Sequence, residues 1–162
     1  YWHKRIREEA PAGNRTPVLA LGDLNDDPWD LSLTVNARAT RERGDVERAT
    51  SERFYNLSWE YLRTTATDKD GNSRDLEGTL YYKNNGNLFD QILANRPLLD
   101  GGSSDFKVID GSAGIIAFPE MVSHRKGQGP IRFGLPKGDA SSNVNEDGFS
   151  DHFPIGIRVR ET

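Results

Sequence analysis

The chain has 162 residues and a mass of 18.1 kDa, a length that fits one domain, or part of a larger one, at about 100–200 residues per domain. Leu, Ile, Val and Phe together number 36, about 22% of the chain against the roughly 20% below which disorder is expected, so a core is within reach and loops are abundant. The absence of cysteine excludes disulfides, thiolate zinc sites and cysteine nucleophiles; the net charge of −4 gives no overall pull toward nucleic acid, and no apolar run approaches the ~18 residues of a membrane helix.

Tyr1 to Ala10 reads as a charged helix already under way with no N-cap before it, and the only methionine is Met121, so the expectation is a fragment of a longer domain. Pro11-Ala12-Gly13-Asn14 breaks that helix, and Val18-Leu19-Ala20-Leu21 is an apolar run suited to a strand buried on both faces. Asp27-Pro28 has the form of an N-cap followed by proline at the first helical position, which predicts a short helix through Trp29 to Ala37. Apolar residues at helical intervals, Phe54, Leu57, Trp59, Tyr61 and Leu62, predict a helix over 45–63 that packs on the sheet.

A polar stretch follows, with a turn at Asp70-Gly71-Asn72, then a strand over Gly78 to Lys83, a turn at 84–87 and a strand over Leu88 to Ala94. These two strands are expected to be hairpin neighbours. Val108-Ile109 and Ile115-Ile116 are weaker strand candidates, and residues 123–149 form a long glycine- and proline-bearing loop. Phe153 to Arg160 alternates apolar and other residues, the pattern of a half-buried strand closing the sheet. No internal repeat is visible.

Three short segments bear residues capable of chemistry. Gly22-Asp23-Leu24-Asn25 follows a buried strand directly. On an extended backbone, positions 23 and 25 share a side, so a carboxylate able to deprotonate water and an amide able to donate to an oxyanion would converge; the alternative is that both merely build the turn. Glycine before the acid permits close approach of a ligand or loop. Asp90, in Phe89-Asp90-Gln91-Ile92, is an acid in an otherwise apolar strand and asks for a partner. Gly148-Phe149-Ser150-Asp151-His152-Phe153-Pro154 sets an acid and an imidazole at the mouth of the last strand, where the ring can titrate near neutral pH and the acid can meet a metal. An Asp-His pair in a surface turn is the plainer reading, and it also serves for His3 and His124.

In this order, Gly-Asp-x-Asn, Asp-x-Ile and Ser-Asp-His-x-Pro resemble the C-terminal signature of the endonuclease/exonuclease/phosphatase superfamily of metal-dependent phosphoesterases, and Gly78-Thr79-Leu80-Tyr81-Tyr82 supplies the Gly-Thr-x-x-Tyr that some members carry before the Asp-Gln-Ile strand. The resemblance spans nearly the whole chain. It implies an α+β fold, half of a four-layer α/β/β/α sandwich with a mostly antiparallel sheet, and hydrolysis of a phosphodiester or phosphomonoester by an activated water. By that resemblance Asp23 orients or deprotonates the water, Asn25 holds the water or a phosphate oxygen, His152 contacts the scissile phosphate, and Asp90 pairs with the other ring nitrogen of His152. Asp151 helps to bind magnesium, with manganese as the alternative.

The resemblance also implies a metal-binding glutamate, an asparagine and a further histidine in an N-terminal half that this sequence lacks, so the chain alone is expected to have little activity. The implied partners are a phosphoester substrate (nucleic acid, phospholipid headgroup or sugar phosphate) and the missing half, which would leave a sheet face exposed or paired between copies. The competing reading is a non-catalytic binding module that retains the scaffold. Arg125, Lys126, Arg132 and Lys137 form a candidate basic rim, the alternating Tyr81 and Tyr82 are expected to bury one ring and expose the other, and Asp68-Lys69-Asp70-Gly71-Asn72 reads as a polar turn. It fails as an EF-hand, because position six is Ser73 and position twelve is Thr79.

Overall fold

A computed structural model describes residue 8 and residues 16–100, 102–125, 127–134 and 144–162. The expected opening helix falls outside them except for Glu8, as do His3, Lys126 and Lys137. The fold is mixed α and β with mostly antiparallel strands and few helices, and its sheets do not close into a barrel.

The centre is a sheet in the order β1 (Leu19–Asp23), β8 (Asp90–Asn95), β3 (Phe54–Asn56), β2 (Ala39–Thr40). β8 runs antiparallel to both β1 and β3, while β2 and β3 are parallel. All six residues of β8 are buried, as expected of a strand paired on both edges and covered on both faces. Its alternate residues serve two clusters: Ile92 and Ala94 join Leu57, Tyr61, Leu88, Leu99 and Phe153 on one side, and Leu93 joins Leu33, Ala39 and Phe54 on the other.

Around this sheet lie antiparallel pairs: β4 (Thr65–Thr67) with β5 (Ser73–Asp75), β6 (Leu80–Tyr82) with β7 (Asn85–Asn87), β9 (Phe106–Val108) with β12 (Val159–Glu161), and β10 (Gly114–Ile115) with β11 (Ile155–Gly156).

The predicted helix over 45–63 is replaced by three elements: helix α1 (Arg43–Arg48), strand β3 and a 3-10 helix at Leu57–Arg63. Ala49 turns extended and ends α1. Phe54, Tyr55 and Asn56 then pair with Asn95, Ala94 and Leu93, so Phe54 and Leu57 are buried in different clusters rather than on one helical stripe. Asn56 starts the next helix by accepting from the Ser58 N–H at 2.9 Å.

The strand expected over Leu88 to Ala94 is not the hairpin partner of β6. That partner is β7, across a two-residue turn in which Lys83 (φ 50°) and Asn84 (φ 67°) are both left-handed, as a tight hairpin turn requires. Nor does Asp27 cap a helix: its Oδ1 accepts from Leu88 N–H at 2.6 Å, and the helical turn comes later, at Ser32–Asn36.

The closing strand is two strands, β11 and β12. At the break, Arg158 N–H donates to Ser112 Oγ at 3.1 Å and Arg158 C=O accepts from Ile109 N–H at 2.9 Å, so this backbone bonds to the β9–β10 connection. The two weaker strand candidates appear, shifted by a residue or two, as β9 and β10.

Candidate functional site

Register brings the first two segments together. β1 and β8 pair so that Asp23 stands directly opposite Asp90, a placement that puts the Cβ atoms of cross-strand partners about 4.5–5.5 Å apart. The third segment arrives along β6: Leu80 and His152 form an isolated antiparallel bridge, and Phe153 N–H donates to Thr79 C=O at 2.8 Å. Phe153 is fully buried in the main cluster and so pins the segment that bears the histidine.

His152 Nδ1 lies 2.8 Å from Asp90 Oδ2, within the range of a charge-assisted hydrogen bond. Both side chains are largely shielded, at 22% and 12% exposure. The aspartate with no partner in its own strand has therefore found one 62 residues away. Two carboxylates directly opposite repel, and here one of the two has the imidazole as its neighbour.

Two motif glycines have a packing reason. A Cβ on Gly78 would strike the backbone of Asn87, and one on Gly148 the backbone of Arg132, so both are points where chains approach too closely for a side chain. Gly22 differs from expectation: a Cβ there would meet open space, and its φ of 134° is what calls for glycine.

The extended backbone stops at Asp23. Asn25 is left-handed (φ 55°), and its N–H donates to Asp23 Oδ1 at 2.9 Å, so the two residues build a turn instead of lining one strand face. Both are exposed, and so is Asp151.

Gln91, unremarked in the sequence beyond its place in the motif, organises this pole. It is completely buried; its Nε2 donates to Asp26 C=O at 3.1 Å and to Leu88 C=O, and its Oε1 accepts from Asn56 Nδ2 at 2.9 Å. Leu24 N–H donates to Phe89 C=O at 2.8 Å, and Ser58 Oγ accepts from Ile92 N–H at 2.8 Å. The loop after Asp23 is thus bonded to the start of β8 from both sides. A glutamine inside an apolar strand was the available signal, since a buried amide needs several partners.

Of the basic rim, Arg132 Nη2 donates to Tyr81 C=O at 2.7 Å and Arg125 is exposed. Tyr81 is buried, with its hydroxyl accepting from Glu77 N–H, while Tyr82 is exposed beside Lys83. A cavity of about 580 Å³, lined by Tyr81, Lys83, Gln128 and Arg132 among others, does not include Asp90 or His152.

Asp151 offers hard oxygen donors of the kind magnesium takes, but among the described residues no three metal-capable side chains gather around His152. Such a group occurs elsewhere, at Asp68, Asp70 and His124. His124 is an exposed loop histidine beside turn aspartates, as the plainer sequence reading has it. Burial raises the Asp68 carboxyl, but the donors of Asn72, Asp70 and His124 outweigh it and hold the group below its usual range.

Comparison with known proteins adds one finding. The endonuclease/exonuclease/phosphatase family model matches residues 4–161, while no curated protein and no solved structure matches the chain. The match takes in the strand ending at Asp23, the strand beginning at Asp90 and the segment that carries His152. With those three elements meeting as described and the family's model covering most of its length, the chain belongs to the endonuclease/exonuclease/phosphatase family, a family of phosphoesterase and nuclease-type hydrolases.

Proposed function

We propose that the pole formed by Asp23, Asp90 and His152 is the catalytic site of a metal-dependent phosphoesterase that hydrolyses a phosphodiester or phosphomonoester with water. The observation that carries this reading is the 2.8 Å bond from His152 Nδ1 to Asp90 Oδ2, made across 62 residues opposite Asp23.

A carboxylate on Nδ1 fixes the ring's orientation and tautomer; the imidazolium form of the ring carries a donor at Nε2. That donor serves a phosphate oxygen and stabilises the charge that develops on it. Asp23, opposite Asp90, accepts the proton of the attacking water, and the Asn25 side chain donates to the water or to a phosphate oxygen. Asp90 touches neither water nor phosphate in this scheme; it positions His152.

Divalent metal, magnesium or manganese, polarises the phosphate when bound. Asp151 is the residue proposed to hold it. One carboxylate is too few for an ion that gives up water reluctantly, so the remaining donors are proposed to come from residues outside this sequence, with this chain as the C-terminal portion of the domain. The low activity expected of the chain alone follows from that shortage.

The test is hydrolysis of an aryl phosphodiester and an aryl phosphomonoester by this chain and by a longer form that carries it, with magnesium or with chelator. Activity that requires both the metal and His152 supports the proposal. A longer form that binds a phosphoester but turns none over, with or without metal, points to the binding-module reading.

A further inference from the structure

The turn between β4 and β5 and the loop after Val122 meet at a set of donor atoms that the hydrolytic reading does not use. His124 Nδ1 stands 3.3 Å from Asp68 Oδ2 and 3.1 Å from Asp70 Oδ2. One ring nitrogen carries at most one hydrogen and cannot serve two carboxylates well. Both distances are also long for a charge-assisted N–H···O bond, about 2.7–2.9 Å. They match instead the roughly 3.0–3.5 Å edges between ligand atoms around a first-row dication with bonds of about 2.0–2.2 Å.

The supporting shell is already in place. Asp68 is only 6% exposed; its Oδ1 accepts from the N–H of Asp70 at 2.9 Å and of Asn72 at 3.0 Å, and the Asn72 side-chain amide reaches both oxygens at 3.3 Å, so these partners orient the carboxylate with Oδ2 toward the ring, as partners of a ligating carboxylate do. Gly71 makes the turn possible with a φ of 85°. The other loop is held to this same hairpin by Arg74 of β5, whose guanidinium donates to the carbonyls of Arg125 and Gln128. With Arg74 already joining loop and hairpin, the meeting of His124 and Asp68, 56 residues apart, does not depend on their own attraction alone. A cavity of about 470 Å³, lined by Asp68, His124, Asp75 and Glu77 among others, opens beside the donors and provides an entry path.

We infer that Asp68, Asp70 and His124 form a second, structural site for a first-row divalent cation, distinct from any metal at Asp151. Two carboxylates and a neutral imidazole carry a charge of −2, equal and opposite to the ion. A nitrogen donor beside two oxygens suits zinc or manganese better than calcium or magnesium, which take oxygen alone. The ion fastens the β4–β5 turn to the 123–128 loop. That loop continues to Ile131, whose carbonyl accepts from Phe149 N–H at 2.9 Å, three residues before His152.

Zinc chloride added to the intact chain, with binding followed by competition against a chromophoric chelator and folding by thermal unfolding, tests the assignment without any activity measurement. The wild type is expected to take up one equivalent that raises its unfolding midpoint. His124→Ala and Asp70→Asn, both at exposed positions, are expected to stay folded and to weaken uptake by about tenfold or more, while His152→Ala leaves it unchanged. Absence of saturable zinc binding in a folded wild type overturns the site. So does binding that survives His124→Ala, or that is lost in His152→Ala instead.

Discussion

At the start of β8 a histidine meets one carboxylate at 2.8 Å; at the β4–β5 turn another stands between two, at 3.1 and 3.3 Å. The first meeting rests on the most buried strand of the sheet and on Phe153, the second on a turn and a loop at the surface. A ring held by one acid at hydrogen-bond length is oriented, with its second nitrogen left to meet something else. A nitrogen between two acids leaves net negative charge, which a cation rather than a proton balances. In the two proposals the same residue types serve substrate in one place and metal in the other, and the distances separate the two uses.

Breaking the first meeting has the largest expected effect. Asp90→Asn keeps the shape but removes the charge that orients His152, and hydrolysis is predicted to fall by about 100- to 10,000-fold with thermal unfolding little changed. A loss of folding in place of activity would make Asp90 a core residue and erase the contrast with Asp68.

Phe153→Ala tests what pins that pole. The side chain is fully buried in the main cluster, and its removal is predicted to cost about 3–5 kcal/mol in denaturant unfolding. A cost below about 1 kcal/mol would show that the His152 segment is anchored by its backbone bonds to β6 alone.

Gln91→Leu sharpens the comparison, since nothing like Gln91 stands behind the surface turn. Truncation leaves Asn56 Nδ2 and the Asp26 carbonyl without their partner, and the predicted loss of stability is about 1–3 kcal/mol. Part of it should appear as faster amide exchange at residues 24–27, with the β4–β5 turn unaffected; uniform exchange across both regions would contradict the local role.

The smallest effect is electrostatic. Burial raises the Asp27 carboxyl above its usual range, only partly offset by the Leu88 N–H and reinforced by Asp30 and Asp26. A raised carboxyl means that the folded state binds more protons than the unfolded one, so its contribution to stability is present at low pH and lost as pH rises through the folded-state value. Asp27→Asn keeps an acceptor for Leu88 and should flatten that decline by a few tenths of a kcal/mol, given the solvent exposure of the group. Chemical unfolding at pH 4 and pH 7 measures it; a decline as steep as in the wild type would place the cause elsewhere.

Much of the pole of Asp23, Asp90 and His152 was legible because its motifs are short and local: an acid in an apolar strand has to find a partner, and His152 sits where β6 can deliver one. Phe54 to Asn56 escaped because three residues of strand set beside a 3-10 helix imitate helical spacing, and only pairing with β8 reveals the alternation. Of the two readings open for Asp23 and Asn25, the turn is the one found, and the sequence could not decide between them because the left-handed backbone at Asn25 goes with a hydrogen bond to Asp23, not with a hydrophobic pattern. Gln91 offered a signal, an amide in an apolar strand, but not the identity of its partners, and His124 offered none. Both reach partners dozens of residues away, and no local signal in a sequence records which loops the fold will bring together.

In the proposed scheme Asp90 works only through His152, and a double-mutant cycle in the longest active form of the protein puts this to the test. Hydrolysis rates are compared for the wild type, Asp90→Asn, His152→Ala and the double variant. If the pair acts as a unit, the double variant is no slower than His152→Ala. Losses that multiply would show that the 2.8 Å bond does not carry the function assigned to it.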